Sequence, residues 1–238
     1  MPRPKLIEQS VFPYSLTGRS NNKDWFAIHP RSCWKIFEEV IAKTAERYGV
    51  QTHCFVLMSN HYHWLVTTPN SNLGQAMRYF MTETSRKIAR KSGRINKIYG
   101  TRYKPTLITD PGYYANTYRY FIQNPLRQRM CAHTDLYPWT SRSKRARIEL
   151  TANPAFEIYI PTDNRTLKRW LNKIPDGPYE EMMKKALRRS TFKFSPHPTN
   201  KYAMPATSFL EELETKKPAS NDAGCGGKTT STFRADAD

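Results

Sequence analysis

Gln51-Thr52-His53-Cys54-Phe55-Val56-Leu57-Met58-Ser59-Asn60-His61-Tyr62-His63-Trp64-Leu65-Val66-Thr67-Thr68 decides the fold. Both halves are rich in β-branched and aromatic side chains, and Ser59-Asn60 between them is turn chemistry. The stretch therefore reads as a hairpin, with a buried strand from Gln51 to Met58 and a second from His61 to Thr68 paired antiparallel with it. Period-two alternation sends His61 and His63 to one face of the second strand, and Tyr62 and Trp64 to the other.

The flanking segments carry the helical period. From Ser32 to Tyr48, Phe37, Val40, Ile41, Thr44, Ala45 and Tyr48 line one helix face, with Ser32 as a cap and Gly49 past the end. Upstream, Ser10 to Thr17 alternates like a strand that Pro13 confines to an edge or bulge, and Gly18 to Lys23 is a polar loop. Downstream, Leu73 to Lys91 is a second amphipathic helix through Leu73, Met77, Phe80, Met81, Thr84 and Ile88. Arg102 to Thr109 reads as a fourth strand, and Asp110-Pro111 opens a helix that runs through Ile122 and is stopped by Asn124-Pro125.

That order is an α+β one: a split βαβ (ferredoxin-like) sandwich, with an antiparallel sheet and helices on one face. It is assigned to residues 1–150. Residues 151–215 read as a small basic helical accessory region, with short helices at Arg165 to Lys173 and Tyr179 to Arg189. Residues 216–238 have linker composition and are expected to be disordered.

Composition narrows the function. The 238 residues hold 38 Lys+Arg against 20 Asp+Glu, a net charge of +18, so a polyanionic partner is favoured, nucleic acid ahead of a membrane surface. The hydrophobic fraction of 38% supplies a core and excludes wholesale disorder. A mean hydropathy of -0.74, with Cys54 to Met58 as the longest apolar run, excludes a spanning helix. The N-terminus leads into no signal-peptide stretch, so a cytoplasmic protein, nucleoid-associated when bound to DNA, is expected. Cys33, Cys54, Cys131 and Cys225 form no CxxC pair, so no disulfide framework or zinc ribbon is indicated. No Walker or Rossmann glycine pattern is present.

Two imidazoles on one strand face can grip a divalent ion, although an isolated His-x-His is more often a pair of hydrogen-bonded polar residues. Tyr120 and Asn124, four apart, share one helix face, where a phenol could act as nucleophile and an amide oxygen as ligand. Spacing does not choose among Tyr113, Tyr114, Tyr118 and Tyr120, and a Tyr-rich helix face is equally an aromatic packing surface.

With these residues in place the chain resembles the HUH single-tyrosine transposases, and among them the REP-associated tyrosine transposases. Cys54 to Val66 is similar to the family's histidine hairpin, and Tyr120-Phe121-Ile122-Gln123-Asn124-Pro125 to its Tyr-Ile-x-x-Asn-Pro helix end. Tyr14 to Lys23 resembles the first-strand motif, Gly100 to Lys104 the strand before the tyrosine helix, and Tyr137 to Ser141 the Trp-Ser-Ser signature, in collinear order. Ser59 stands where Pro is usual, and Leu126-Arg127-Gln128 where Val-Arg-Ala commonly follows.

The resemblance implies Tyr120 as nucleophile, His61, His63 and Asn124 as ligands of magnesium or manganese, and single-stranded or hairpin DNA as substrate. The implied reaction is cleavage and rejoining at REP-like hairpins through a 5′-phosphotyrosine, and a homodimer is among the assemblies it allows. Arg86, Lys87, Arg90, Lys91, Arg94, Arg102, Arg142, Lys144, Arg145 and Arg147 are expected phosphate contacts, with Lys168, Arg169, Lys184, Lys185, Arg188 and Arg189 as candidates for hairpin selection. The competing readings are a catalytically inactive nucleic-acid-binding protein on the same fold, and a zinc site that adds Cys54 or Glu83 to the histidines.

Overall fold

A computed structural model describes residues 6–175 and 178–194. Its sheet has four strands, β1 (Tyr14–Arg19), β2 (Gln51–Leu57), β3 (His61–Thr67) and β4 (Lys104–Leu107), in the order β2-β3-β1-β4 with every pair antiparallel. Helices α1 (Pro30–Tyr48) and α2 (Leu73–Ser92) are the two crossovers of the expected split βαβ sandwich. They share one face, where Phe37 and Phe80 meet Phe55, Tyr62 and Trp64 from the sheet. Trp64 is fully buried there because its indole N–H finds Thr52 Oγ1 at 3.1 Å.

The opposite face is also covered. Helix α3 (Pro111–Arg127) lays Tyr114, Ala115, Phe121 and Ile122 against Cys54, Val56 and Leu65, so the third helix does not join the first two. Alternation of apolar residues along β2 and β3 allows both faces to be buried, and the order of elements alone does not say which face a third helix takes. Helices α4 (Asn164–Asn172) and α5 (Tyr179–Ala186) form where the sequence places short helices, and Trp170, Tyr179 and Met183 belong to the same core as α3. Gln123 donates to the Leu171 and Lys173 carbonyls at 2.9 Å each, and Arg119 also donates to Lys173, which satisfies the open end of α4. The expected disordered tail, 216–238, lies outside the described residues.

Several boundaries differ from the sequence reading: α1 starts at Pro30 with His29, not Ser32, as its cap, β4 spans only Lys104–Leu107, and α5 ends at Ala186. Helix α3 continues through Asn124 and Pro125 to Arg127. Pro125 removes one amide donor, but it sits in the last turn, and the chain still closes from Gln128 N–H to Asn124 C=O at 3.0 Å. Strand β1 starts at Tyr14 rather than Ser10, because the Gln9 carboxamide takes the N–H groups of Val11 and Phe12 before the sheet can.

Irregular chain closes both outer strands of the sheet. Tyr137 to Ser141 runs along β2, with Leu57 N–H on Trp139 C=O at 2.9 Å, Ser141 N–H on Phe55 C=O at 2.8 Å, and the Tyr137 hydroxyl on Leu57 C=O at 2.6 Å. Along β4, Leu107 exchanges 2.8 Å bonds with Ser190 and Phe192. Gly18 in β1 is required by packing, because a Cβ there would stand 2.5 Å from the Tyr62 ring of β3.

Buried His53 links the hairpin to the later chain. Its Nδ1–H donates to the Thr151 carbonyl and its Nε2 accepts from the Thr67 hydroxyl, each at 2.7 Å. Burial holds the imidazole below its ordinary value, although the Thr151 bond and Glu157 pull the other way. The unfolded chain takes up a proton near pH 6.5 that this imidazole resists, so stability is full above that value and is lost as pH falls through the folded pKa. The thermal midpoint is expected to fall between about pH 7 and about pH 5, and less steeply in His53→Gln. An identical pH slope in the two proteins would exclude this role.

Candidate active site

The strand alternation that places His61 and His63 on the α3 face leaves their rings 4.9 Å apart between centroids. Each ring is oriented by a neighbour. Asn60 donates its amide N–H to Lys23 C=O at 2.7 Å, which turns its Oδ1 toward His61 Nδ1, also at 2.7 Å. A carboxamide oxygen only accepts, so the His61 proton sits on Nδ1 and Nε2 keeps its lone pair. His63 Nδ1 lies 3.1 Å from Thr17 Oγ1, its cross-strand partner in β1, and leaves Nε2 facing the Asn124 carboxamide at 2.5 Å. Rotating that amide brings Oδ1 to the same place.

Burial, with the Arg19 charge across the strand pair, pushes His61 down to about 4. His63 is held well below its usual value by burial, then by His61 and Arg19. Both rings are neutral at physiological pH. Neutral imidazoles with outward Nε2 lone pairs, each anchored through Nδ1, together with an amide oxygen, make a donor set that fits a divalent cation.

Asn124 and Tyr120 reach this place from one face of α3. Tyr120 is only 6% exposed; its ring stands edge-on to His63 at 6.2 Å between centroids, and the Arg127 guanidinium lies over it at 4.9 Å. The same guanidinium covers Tyr179 of α5 at 5.1 Å, and its Nε and Nη1 are buried without hydrogen-bond partners. Burial raises the Tyr120 phenol above its ordinary value, while Arg127 and Lys184 oppose the rise and Glu180 and Glu181 add to it. The other tyrosines of the helix are engaged elsewhere. Tyr113 packs on Phe192, Tyr114 reaches Glu157, and Tyr118 accepts from Arg142.

Tyr120, Asn124, His61 and His63 line one open pocket of about 1220 Å³. Among the cations expected to meet phosphate, Arg102 lines it, and Arg94 pairs with Asp24 of the loop after β1 at 3.3 Å. Arg86, Lys87, Arg90 and Lys91 ride on α2, across the sheet; Arg86 pairs with Glu83 and Lys87 with Glu39. Lys144 and Arg145 are exposed beyond the β2 edge, where Arg145 shares a groove with Arg31, Lys35 and Arg147. Lys184 and Arg188 reach the pocket, although Lys184 is paired with Glu180 at 2.9 Å and Glu181 at 3.0 Å.

The pocket also holds Arg19 and Lys104, which the sequence reading missed; only the pairing of β1 with β3 and β4 brings them there. The zinc alternative loses its extra ligands. Cys54 is fully buried with its thiol pushed up to about 12, Glu83 sits on the far side of the sheet, and no group of three His, Cys, Asp or Glu gathers among the described residues.

Known proteins resemble the chain in sequence segment and in fold. The family model for IS200-like transposases matches residues 26–123, which include both histidines and Tyr120. The structure of a REP-associated tyrosine transposase bound to a REP hairpin superposes with a TM-score of 0.50 at 14% identity, over 60% of this chain and 83% of that one. A candidate transposase from Deinococcus radiodurans R1 has a TM-score of 0.36 at 9% identity, over 55% of this chain and 95% of that one. No curated protein sequence matches the chain. No described helix is long and apolar enough to cross a membrane. The histidine hairpin and Tyr120 thus fall inside a segment similar to the IS200-like transposases, on a fold like that of the REP-associated transposase structure.

Proposed function

We propose that the protein cuts and rejoins single-stranded DNA beside hairpin elements, through a covalent 5′-phosphotyrosine at Tyr120. The observation that carries this is the convergence of Tyr120, Asn124 and two neutral, anchored histidines on one cation-lined pocket. That the structurally similar REP-associated transposase is bound to a REP hairpin supports the same substrate class here.

His61, His63 and Asn124 would hold a magnesium or manganese ion, which when bound supplies positive charge to the non-bridging oxygens of the scissile phosphate. The chain's own residues do the rest. The Tyr120 oxygen attacks phosphorus, the P–O3′ bond breaks, and the departing 3′ oxygen takes up a proton to become a free hydroxyl. Because the new phosphotyrosine ester replaces the phosphodiester, the 3′ hydroxyl of a second strand can reverse the step and join without a nucleotide cofactor. Arg19, Arg102 and Lys104 supply fixed positive charge for the backbone.

Attack requires the phenol to lose its proton from a buried position that resists it. Arg127 is the charge best placed to help, lying over the ring. Arg127→Gln is expected to slow adduct formation at neutral pH by about tenfold and to move the rising limb of the pH–rate profile upward, the direction in which losing an opposing positive charge shifts a phenol. A slower rate with an unmoved profile would mean that Arg127 only packs.

The reading is tested by incubating the protein with single-stranded oligonucleotides that carry a hairpin, in magnesium, manganese or chelator, and examining denaturing gels for a protein–DNA adduct. Adduct that requires metal supports it. Tight hairpin binding with no adduct on any substrate would assign the chain to the inactive, DNA-binding reading.

A further inference from the structure

Trp25 is 72% exposed, while Phe26 beside it is 3% exposed and packs on Phe37 and Tyr99. A tight turn separates them: Ala27 N–H bonds back to Trp25 C=O at 2.7 Å, and Ala27 takes φ +47°. The loop that holds Trp25 is tied down along its length. Asn21 N–H bonds to Ile98 C=O at 2.7 Å, Phe26 N–H to Ser59 C=O at 3.1 Å, and Asn60 Nδ2 to Lys23 C=O at 2.7 Å. Asn22 and Lys23 also adopt positive φ, at 53° and 62°. Left-handed conformations without glycine persist only where the surroundings over-determine them, and they concentrate at working sites. The backbone that carries the indole is therefore held in place before a ligand arrives.

Trp25 lines the pocket of Tyr120 and the two histidines, with Arg19, Lys23 and Arg102 among its walls. A flat apolar face beside fixed positive charges matches a nucleotide, whose base stacks while its phosphates meet the cations. A base inside a duplex already has both faces covered, so the ligand that fits is an unpaired one.

We propose that Trp25 is a stacking platform for an unpaired base of the DNA strand that enters the pocket. The inference rests on the reading of the pocket as a DNA site, and adds a base contact that neither chemistry nor charge requires.

The test uses the full chain in chelator, with oligothymidylate and an abasic strand of the same length and charge, and reads affinity by fluorescence anisotropy over a range of salt. The wild-type protein is expected to prefer the oligothymidylate by about tenfold, since stacking tolerates any base. Trp25→Ala should bring that ratio close to one and Trp25→Tyr should keep most of it. Both should bind the abasic strand with the wild-type affinity and salt slope. A wild-type ratio near one, or a ratio unchanged in Trp25→Ala, overturns the proposal. Adduct formation on hairpins is measured on the same proteins with metal restored. Absence of adduct with the ratio intact would remove the cleavage reading and leave the Trp25 platform standing.

Discussion

Tyr120→Phe is expected to eliminate the covalent protein–DNA adduct, with a loss of at least about a thousandfold in strand cleavage. The substitution removes one oxygen and keeps the ring that meets His63, Phe121 and the Arg127 guanidinium, so the packing of α3 on the sheet is retained. Hairpin affinity should stay within about twofold, because the cations that line the pocket are untouched. The helix offers three other phenols, and their positions make the result decisive. Tyr113, Tyr114 and Tyr118 are committed to Phe192, Glu157 and Arg142, away from the histidine pair. Denaturing gels on both proteins, with thermal melts to verify folding, check the outcome. Adduct persisting in Tyr120→Phe would move the nucleophile to one of these three.

The next largest effect is expected from His63→Gln, a loss of about a hundredfold to a thousandfold in metal-dependent cleavage with DNA binding preserved. His63 sits at the centre of the arrangement, with Thr17 on one ring nitrogen, Asn124 on the other, and the Phe121 ring 4.5 Å away between centroids. Gln can keep a bond toward Thr17 but offers a weaker donor where Nε2 stood. The loss should be partly recovered by raising manganese, as befits a weakened ligand set. Cleavage at the wild-type rate over the whole metal titration would remove His63 from that set.

The histidine pair is legible in the sequence because a strand has only one way to alternate: His61 and His63 had to share a face, and a helix of 3.6 residues per turn had to align Tyr120 with Asn124, four positions on. The union of these two faces is not legible. Asn124 meets His63 because α3 lies on the side of the sheet away from α1 and α2, a choice made by packing that no local period encodes. The same blindness misdirects a count of charges. The basic run from Arg86 to Lys91 is conspicuous in the sequence and lies across the sheet from Tyr120, whereas Arg19 and Lys104 look unremarkable and face the pocket. Arg127 acquires its place between two tyrosines only when α5, with Tyr179 buried, docks beside α3. Pro125 shows a local rule overruled: it removes the donor that would meet the Phe121 carbonyl, yet the helix runs on to Arg127.

The chain beyond residue 150 resembles an appendage in one dimension, and it is what closes the β4 side of the sheet. A version shortened there would lose Ser190 and Phe192, leaving Leu107 with an open N–H and C=O, and would strip Trp170, Tyr179 and Met183 from the helix that carries Tyr120. Bare strand edges recruit other strands. A chain trimmed to the matched segment would thus fail first by self-association, before any change in its handling of DNA could be read.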